Sequence, residues 1–118
     1  MTDTTAPASL VSSDNVNGTA VFSADGTEIG HIDHLMIDKK SGKVAYAVMG
    51  FGGFLGIGEE HYPVPWNALD YDPARDGFMT NIDEATVKGA PERTDRWDSD
   101  RAWQERTFDH YGVPYYWL

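Results

Sequence analysis

His31, Asp33 and His34 lie close together in the sequence, and His61 directly follows Glu59 and Glu60. Imidazole and carboxylate are good ligands for zinc or nickel, so these residues are the first candidates for metal chemistry. In an extended strand, however, His31 and Asp33 share one face while His34 points to the other. At most two ligands then converge unless a bulge intervenes, and nothing in the sequence brings His61 to them. Surface histidines are the expectation, with no metal. The carboxylate pairs Asp33/Asp38 and Glu59/Glu60 suit acid–base work only where a pocket drives their two pKa values apart. With nineteen Asp plus Glu in the chain, such pairs arise from abundance alone. There is no Ser-His-Asp order and no nucleophile elbow. The absence of cysteine removes thiolate zinc sites, iron–sulfur clusters, cysteine nucleophiles and disulfides together. Gly50 to Gly58 (GFGGFLGIG) invites comparison with a phosphate cradle, but neither glycine fingerprint is satisfied, no lysine follows, and Glu59-Glu60 would repel a phosphate. The expectation is therefore a protein that is not an enzyme and holds no cofactor.

What the chain offers instead is large apolar side chains in unusual places. Phe51, Phe54, Leu55 and Ile57 are threaded among glycines, in a stretch too flexible for a helix interior and too apolar for an ordinary solvated loop. They read as a loop folding back on its own domain, with any ring left exposed to be covered by a partner. Trp66, after Pro65, reads as a core anchor whose indole N–H reaches a carbonyl. Tyr115, Tyr116 and Trp117 form an aromatic terminus that must pack on something, either the same chain or a second subunit. With Trp103, these are the candidate interaction residues.

The elements that would position them follow from composition and punctuation. The chain has 118 residues and 13.1 kDa, enough for one domain. Apolar residues make up 41% and aromatics 13%, which is enough to close a core. Nine basic against nineteen acidic residues give a net charge of −10, which argues against nucleic acid and anionic membranes as partners. No apolar run approaches the ~20 residues of a membrane span, and the start lacks the pattern of a signal peptide, so a cytoplasmic protein without membrane insertion is expected.

Residues 1–13 are small, polar and aperiodic and read as a floppy tail. Beyond them, short apolar stretches alternate with glycine-containing turns. Strands are expected at 19–23, 28–38, 43–51, 59–64, 69–71 and 78–82, with tight turns at Ala24-Asp25-Gly26-Thr27 and Lys39-Lys40-Ser41-Gly42. In the second strand the apolar residues Ile29, Ile32 and Leu35 depart twice from strict alternation, and Gly30 beside the first slip points to a bulge or sharp bend. Pro63 argues that the fourth strand is an edge or ends there. One or two helical turns are expected over 83–91. A polar connector at 92–98 leads to a helix from Asp100 to Tyr111, capped by Ser99 and closed by Gly112 and Pro114. On that helix Trp103, Gln104, Thr107, Phe108 and Tyr111 fall within an arc of about 140°, the face expected to be buried.

Several segments together carry a recognisable pattern: Gly18–Val21, Asp25-Gly26-Thr27-Glu28-Ile29-Gly30, Ile37-Asp38 with Ser41-Gly42-Lys43-Val44, Ala47-Val48, Gly53-Phe54-Leu55-Gly56-Ile57-Gly58 and Pro63-Val64-Pro65-Trp66. Over roughly Ser13 to Ala90 the chain resembles the PRC-barrel family, the small β-barrel also found in the reaction-centre H subunit and in the ribosome maturation factor. The resemblance implies an all-β fold, a small, partly open antiparallel barrel of about six strands that acts as a docking module and brings no catalytic motif. The H subunit's membrane anchor and the ribosome factor's extra domain have no counterpart in the pattern, so neither role is carried over. The expected organisation is a tail (1–13), a barrel domain (14–90), and a connector, C-terminal helix and aromatic tail (91–118) packed on the barrel or on a second subunit. The expected function is a non-catalytic protein-interaction module, a homo-oligomer binding through apolar patches and an edge-strand surface. The alternative is a small-ligand sensor with a pocket between the glycine-rich loop, Trp66 and the aromatic tail.

Overall fold

A computed structural model describes residues 10–51 and 60–118. A short helix α1 (Ser13–Val16) precedes strands β1 (Ala20–Ser23), β2 (Glu28–Ile37), β3 (Val44–Phe51) and β4 (Glu60–Pro65). A 3₁₀ turn (Trp66–Ala68), β5 (Asp70–Asp72), β6 (Gly77–Thr80) and helices α2 (Glu84–Lys88) and α3 (Arg101–Tyr111) follow. The six strands form one sheet in the order β4-β3-β2-β1-β6-β5, curled but not closed into a barrel. The strand count matches expectation, whereas the all-antiparallel pattern does not. β6 lies alongside β1 in parallel, with Val21 opposite Phe78, because the β5–β6 hairpin brings the chain back in the direction in which it left. The α1 turn was not foreseen, because its Ser-Asp-Asn-Val stretch reads equally well as tail.

Both slips in the apolar spacing of β2 are bulges. Against β1, Val21 pairs with Gly30 and Phe22 with Glu28, leaving Ile29 as the extra residue. Against β3, Ile32 pairs with Met49 and His34 with Val48, leaving Asp33 extra. Each bulge resets which face the following residues present, so Ile29, Ile32 and Leu35 all reach the same interior despite their spacing. Gly30 has a second duty. A Cβ there would lie 2.3 Å from the Gly50 carbonyl oxygen, so the two strands come together only with hydrogen at that position.

Two hydrophobic layers result. The concave side of the sheet holds Val21, Ile32, Ala47, Met49, Phe51 and Val64, closed at its ends by Val16, Leu69, Phe78 and Val87. On the other side, Tyr46 and Ala45 of β3 meet Trp103 and Phe108 of α3. Strand β3 is thus covered on both faces, as its run of Val, Ala and aromatic residues suggests. The inner face of α3 is the one its periodicity predicts: Trp103, Gln104, Thr107 and Phe108 are buried and Tyr111 is half-buried. Its cap is one residue later than expected. Asp100, not Ser99, accepts the Trp103 backbone N–H at 3.1 Å, while the Ser99 hydroxyl turns back to the Arg96 carbonyl. Gly112, at φ 69°, ends the helix, and the Val113 N–H reaches back to the Phe108 carbonyl at 3.2 Å.

The β4 edge is poorly suited to extending the sheet. His61, Pro63 and Pro65 alternate along it, and the His61 carbonyl, which points away from β3, accepts from Arg93 Nη2 at 3.4 Å. The two prolines therefore occupy outward-facing positions, where they leave no N–H to donate. An edge-strand docking surface is thus poorly served by β4. Among the described residues no helix is long and apolar enough to cross a membrane.

Two glycine substitutions separate the constraints. Gly30→Ala must push apart two hydrogen-bonded strands and is expected to lower unfolding stability by about 3 kcal/mol. Gly112→Ala meets open space but must hold a left-handed backbone, at a cost of about 1 kcal/mol. Urea unfolding of both variants checks the order, and an equal or reversed pair of midpoints contradicts the packing described.

Candidate functional site

The bulge at Asp33 gathers the chain's metal-type residues more closely than a regular strand would. The register sets His31 of β2 opposite Gly50 of β3, and Gly50 opposite His61 of β4. With no side chain on Gly50, groups on β2 and β4 approach each other across the strand between them. The His34 Nδ1–H donates to Asp33 Oδ2 at 2.7 Å, and His61 Nε2 lies 3.6 Å from Asp33 Oδ1. The sequence reading had no means of bringing His61 here. The two imidazoles address opposite oxygens of one carboxylate, however, and among the described residues no three His, Cys, Asp or Glu side chains are placed to hold a metal ion. The Asp33 carboxyl is held below the usual carboxylate range, first by the His34 hydrogen bond and then by the charges of His61, His34 and His31, with burial acting the other way. The other acids singled out have local duties. Asp38 accepts the Ser41 hydroxyl at 2.6 Å and its N–H at 3.2 Å, closing the β2–β3 turn, and Glu60 accepts the Tyr62 hydroxyl at 2.6 Å. Asp33 and Asp38 are thus engaged in separate structural contacts.

The candidate interaction residues divide. Phe51 is 2% exposed, its ring edge-on to Tyr62 at 5.9 Å, because it shares strand parity with Ala47 and Met49 and points into the concave core. Trp103 is 1% exposed at the centre of the α3 layer, its indole N–H donating to the Pro91 carbonyl at 3.3 Å. Both are enclosed by their own chain, Trp103 on the helix face that periodicity marks as buried. Trp66 is half-buried against Phe78 at 5.2 Å, on the concave side. It does not share a pocket with the aromatic tail, which lies over the other layer. Phe54, Leu55 and Ile57 lie outside the described residues.

Tyr115, Tyr116 and Trp117 are all half-buried against their own chain. Tyr115 and Trp117 stack at 4.6 Å, Tyr116 packs between Tyr46 and Phe108, and Trp117 touches Phe108 at 5.9 Å. The phenols are tethered to α3: Tyr116 donates to Gln104 Oε1 and Tyr115 to Asp109 Oδ1, each at 2.8 Å. The bond to Asp109 raises the Tyr115 pKa, whereas burial raises that of Tyr116. Over this group lies Arg101, its guanidinium 3.8 Å from the Trp117 ring centre and 5.6 Å from that of Tyr116. Beside it Ile37 is 54% exposed and Leu118 is 85% exposed. Arg101, Ile37, Trp97 and Gln104 went unnoticed as site residues. Arg101 sits in the first turn of α3, but its meeting with rings fifteen and sixteen positions further on depends on the Gly112 reversal and leaves no local trace in the sequence.

The Asp33 bridge gives a pH signature. A carboxyl whose folded pKa is depressed adds stability above its unfolded pKa, near 3.9, and that stability is lost as pH falls through the lower folded value. Asp33→Asn should therefore flatten the acid limb of the melting profile between about pH 5 and pH 2 while leaving the neutral region nearly unchanged. Thermal melts across that range check it, and parallel acid limbs count against the bridge.

A comparison with curated proteins finds no match to the chain. The model of the PRC-barrel domain family, by contrast, matches residues 10–87, which span α1, all six strands and most of α2. The chain belongs to the PRC-barrel domain family.

Proposed function

We propose that this protein is a non-catalytic interaction module that self-associates through the surface formed by its aromatic tail and the first turn of α3. The observation carrying this reading is the concentration of half-exposed Tyr115, Tyr116 and Trp117 around Arg101, flanked by exposed Ile37 and Leu118. Tyrosine, tryptophan and arginine are the residue types that dominate the centres of protein interfaces. Their rings are held by hydrogen bonds and stacking, so little side-chain freedom is lost when a second surface covers them. The edge chemistry points the same way. β4 has proline at two of its outward positions and β5 is only three residues long, which favours side-chain contact as the mode of assembly.

Charge sets the condition for assembly. Two copies that each carry −10 repel one another, so association should strengthen as salt shortens the screening length from about 10 Å at 0.1 M toward about 3 Å at 1 M. Light scattering after size exclusion is expected to give a mass above 13.1 kDa for the full chain, rising with salt, and a shift to monomer for Tyr115→Ala with Trp117→Ala. A monomer at every salt concentration, or an assembly indifferent to the double substitution, rejects this surface.

A further inference from the structure

Besides the Tyr111 hydroxyl, which is buried without a partner at the end of α3, two further donors near the β3–α3 layer lack acceptors among the described residues. Tyr46 is 2% exposed, and its hydroxyl has no partner among the described residues. Burial pushes its phenol far above the ordinary tyrosine range, so it stays protonated and remains a donor. Arg101 is the second. Its guanidinium face rests on the Trp117 ring, yet it has no hydrogen bond or ion pair among the described residues. The Asp38 carboxylate acts on it only through space, and no acidic side chain among the described residues closes on the guanidinium as an ion pair. The guanidinium lies over the Trp117 ring, and its fork of N–H donors suits the two oxygens of a carboxylate.

Both residues line one cleft of about 360 Å³, whose walls include Trp97, Tyr116, Met36 and Ile37. That volume lies in the lower part of the ~300–1,000 Å³ range of small-molecule sites, and the walls are flat rings and aliphatic carbon. The rim is electrically balanced, with Asp38 and Asp98 set against Lys39 and Arg101, and Asp38 is already committed to Ser41. The cleft therefore escapes the anionic character of the rest of the chain, whose more distant charges are screened over about 8 Å at physiological salt. Tyr116, half-exposed and in electrostatic contact with Tyr46, is the ring that a ligand moves aside to reach the buried hydroxyl.

We propose that this cleft binds a small arylalkyl carboxylate, with its carboxylate on the Arg101 guanidinium and the Tyr46 hydroxyl and its ring against Trp97 and Tyr116. This site goes beyond the assembly reading: it shares Arg101, Tyr116 and Ile37 with that surface but needs no second copy of the chain.

Phenylacetate titrated into the full chain, followed by ¹H–¹⁵N correlation spectra, is the test. Saturable shifts are expected at the Trp97 indole and along Met36–Lys39 and Ser99–Gln104. Tyr46→Phe and Arg101→Gln should each weaken binding about tenfold or more, as loss of a hydrogen bond to a charged group requires. Benzyl alcohol, with the ring but no charge, should bind more weakly than phenylacetate. Tyr46→Phe removes a buried hydroxyl with no partner, so it should melt no lower than the wild type and keep the wild-type mass distribution, which separates this outcome from any failure of the assembly surface. Should Tyr46→Phe melt lower, Arg101→Gln on the exposed surface carries the same comparison. Absence of saturable shifts, unchanged affinity in both variants, or tighter binding of the peptide acid N-acetyl-Gly-Phe than of phenylacetate overturns the assignment.

Discussion

Strand β3 has no face for water. Ala47, Met49 and Phe51 fill the concave core while Tyr46 and Ala45 stand on the opposite side, so the sheet must be covered twice. The concave face closes by curling of the sheet itself, with the Ile29 and Asp33 bulges in β2 turning successive side chains inward. The convex face has no such recourse and needs a separate element. Tyr46 dictates what that element must be, since its ring takes edge or tilted contacts with Trp97, Trp103, Phe108 and Tyr116. Contacts of this kind contribute about 0.5–1.5 kcal/mol each beyond simple burial. Together they exceed the roughly 1–3 kcal/mol cost of hiding one hydroxyl without a partner, which explains how the layer tolerates that defect.

Much of this was legible because it depends on periodicity. The slips among Ile29, Ile32 and Leu35 located both bulges in β2, the apolar arc of α3 identified its buried residues, and Pro63 marked β4 as an edge. These signals are local: a side chain's face is set by its count along a strand or helix. What escaped depends on the return of the chain. The parallel pairing of β1 with β6, the approach of His61 to Asp33 across Gly50, and the seating of Arg101 on Trp117 each join residues from separate elements. The aromatic set illustrates the boundary. Residue type marked Phe51, Trp103 and Trp117 alike as contact candidates, but strand parity and helix face place the first two inside the molecule and leave only the third at its surface.

The ends of the sheet restrict how the fold can meet another protein. An open sheet exposes two edges, and here each is blunted by different means. β4 places prolines at outward positions and lends its His61 carbonyl to Arg93, while β5 is short and carries Asp70 and Asp72 on either side of Tyr71. Charged, short or proline-bearing edges resist the addition of further strands. The sheet edges are thereby less suited to backbone pairing than the covering layer is to side-chain contact.

That layer lies beyond the shared domain. The family match ends at residue 87, whereas Trp97, Arg101, Trp103, Phe108, Tyr115, Tyr116 and Trp117 all follow it. Within the matched region the convex face contributes chiefly Tyr46 and Ala45, an apolar platform whose one polar group is the Tyr46 hydroxyl. The stacked guanidinium, the hydroxyls tethered to Gln104 and Asp109, and the cleft between β2 and α3 exist only once the C-terminal segment has folded down. The matched domain thus supplies a support with one face left to be covered, and the covering segment supplies most of the polar groups on that side. A change of a few residues between 97 and 117 would alter the covering surface while leaving the sheet beneath it intact, because the ring contacts joining the two layers converge on Tyr46.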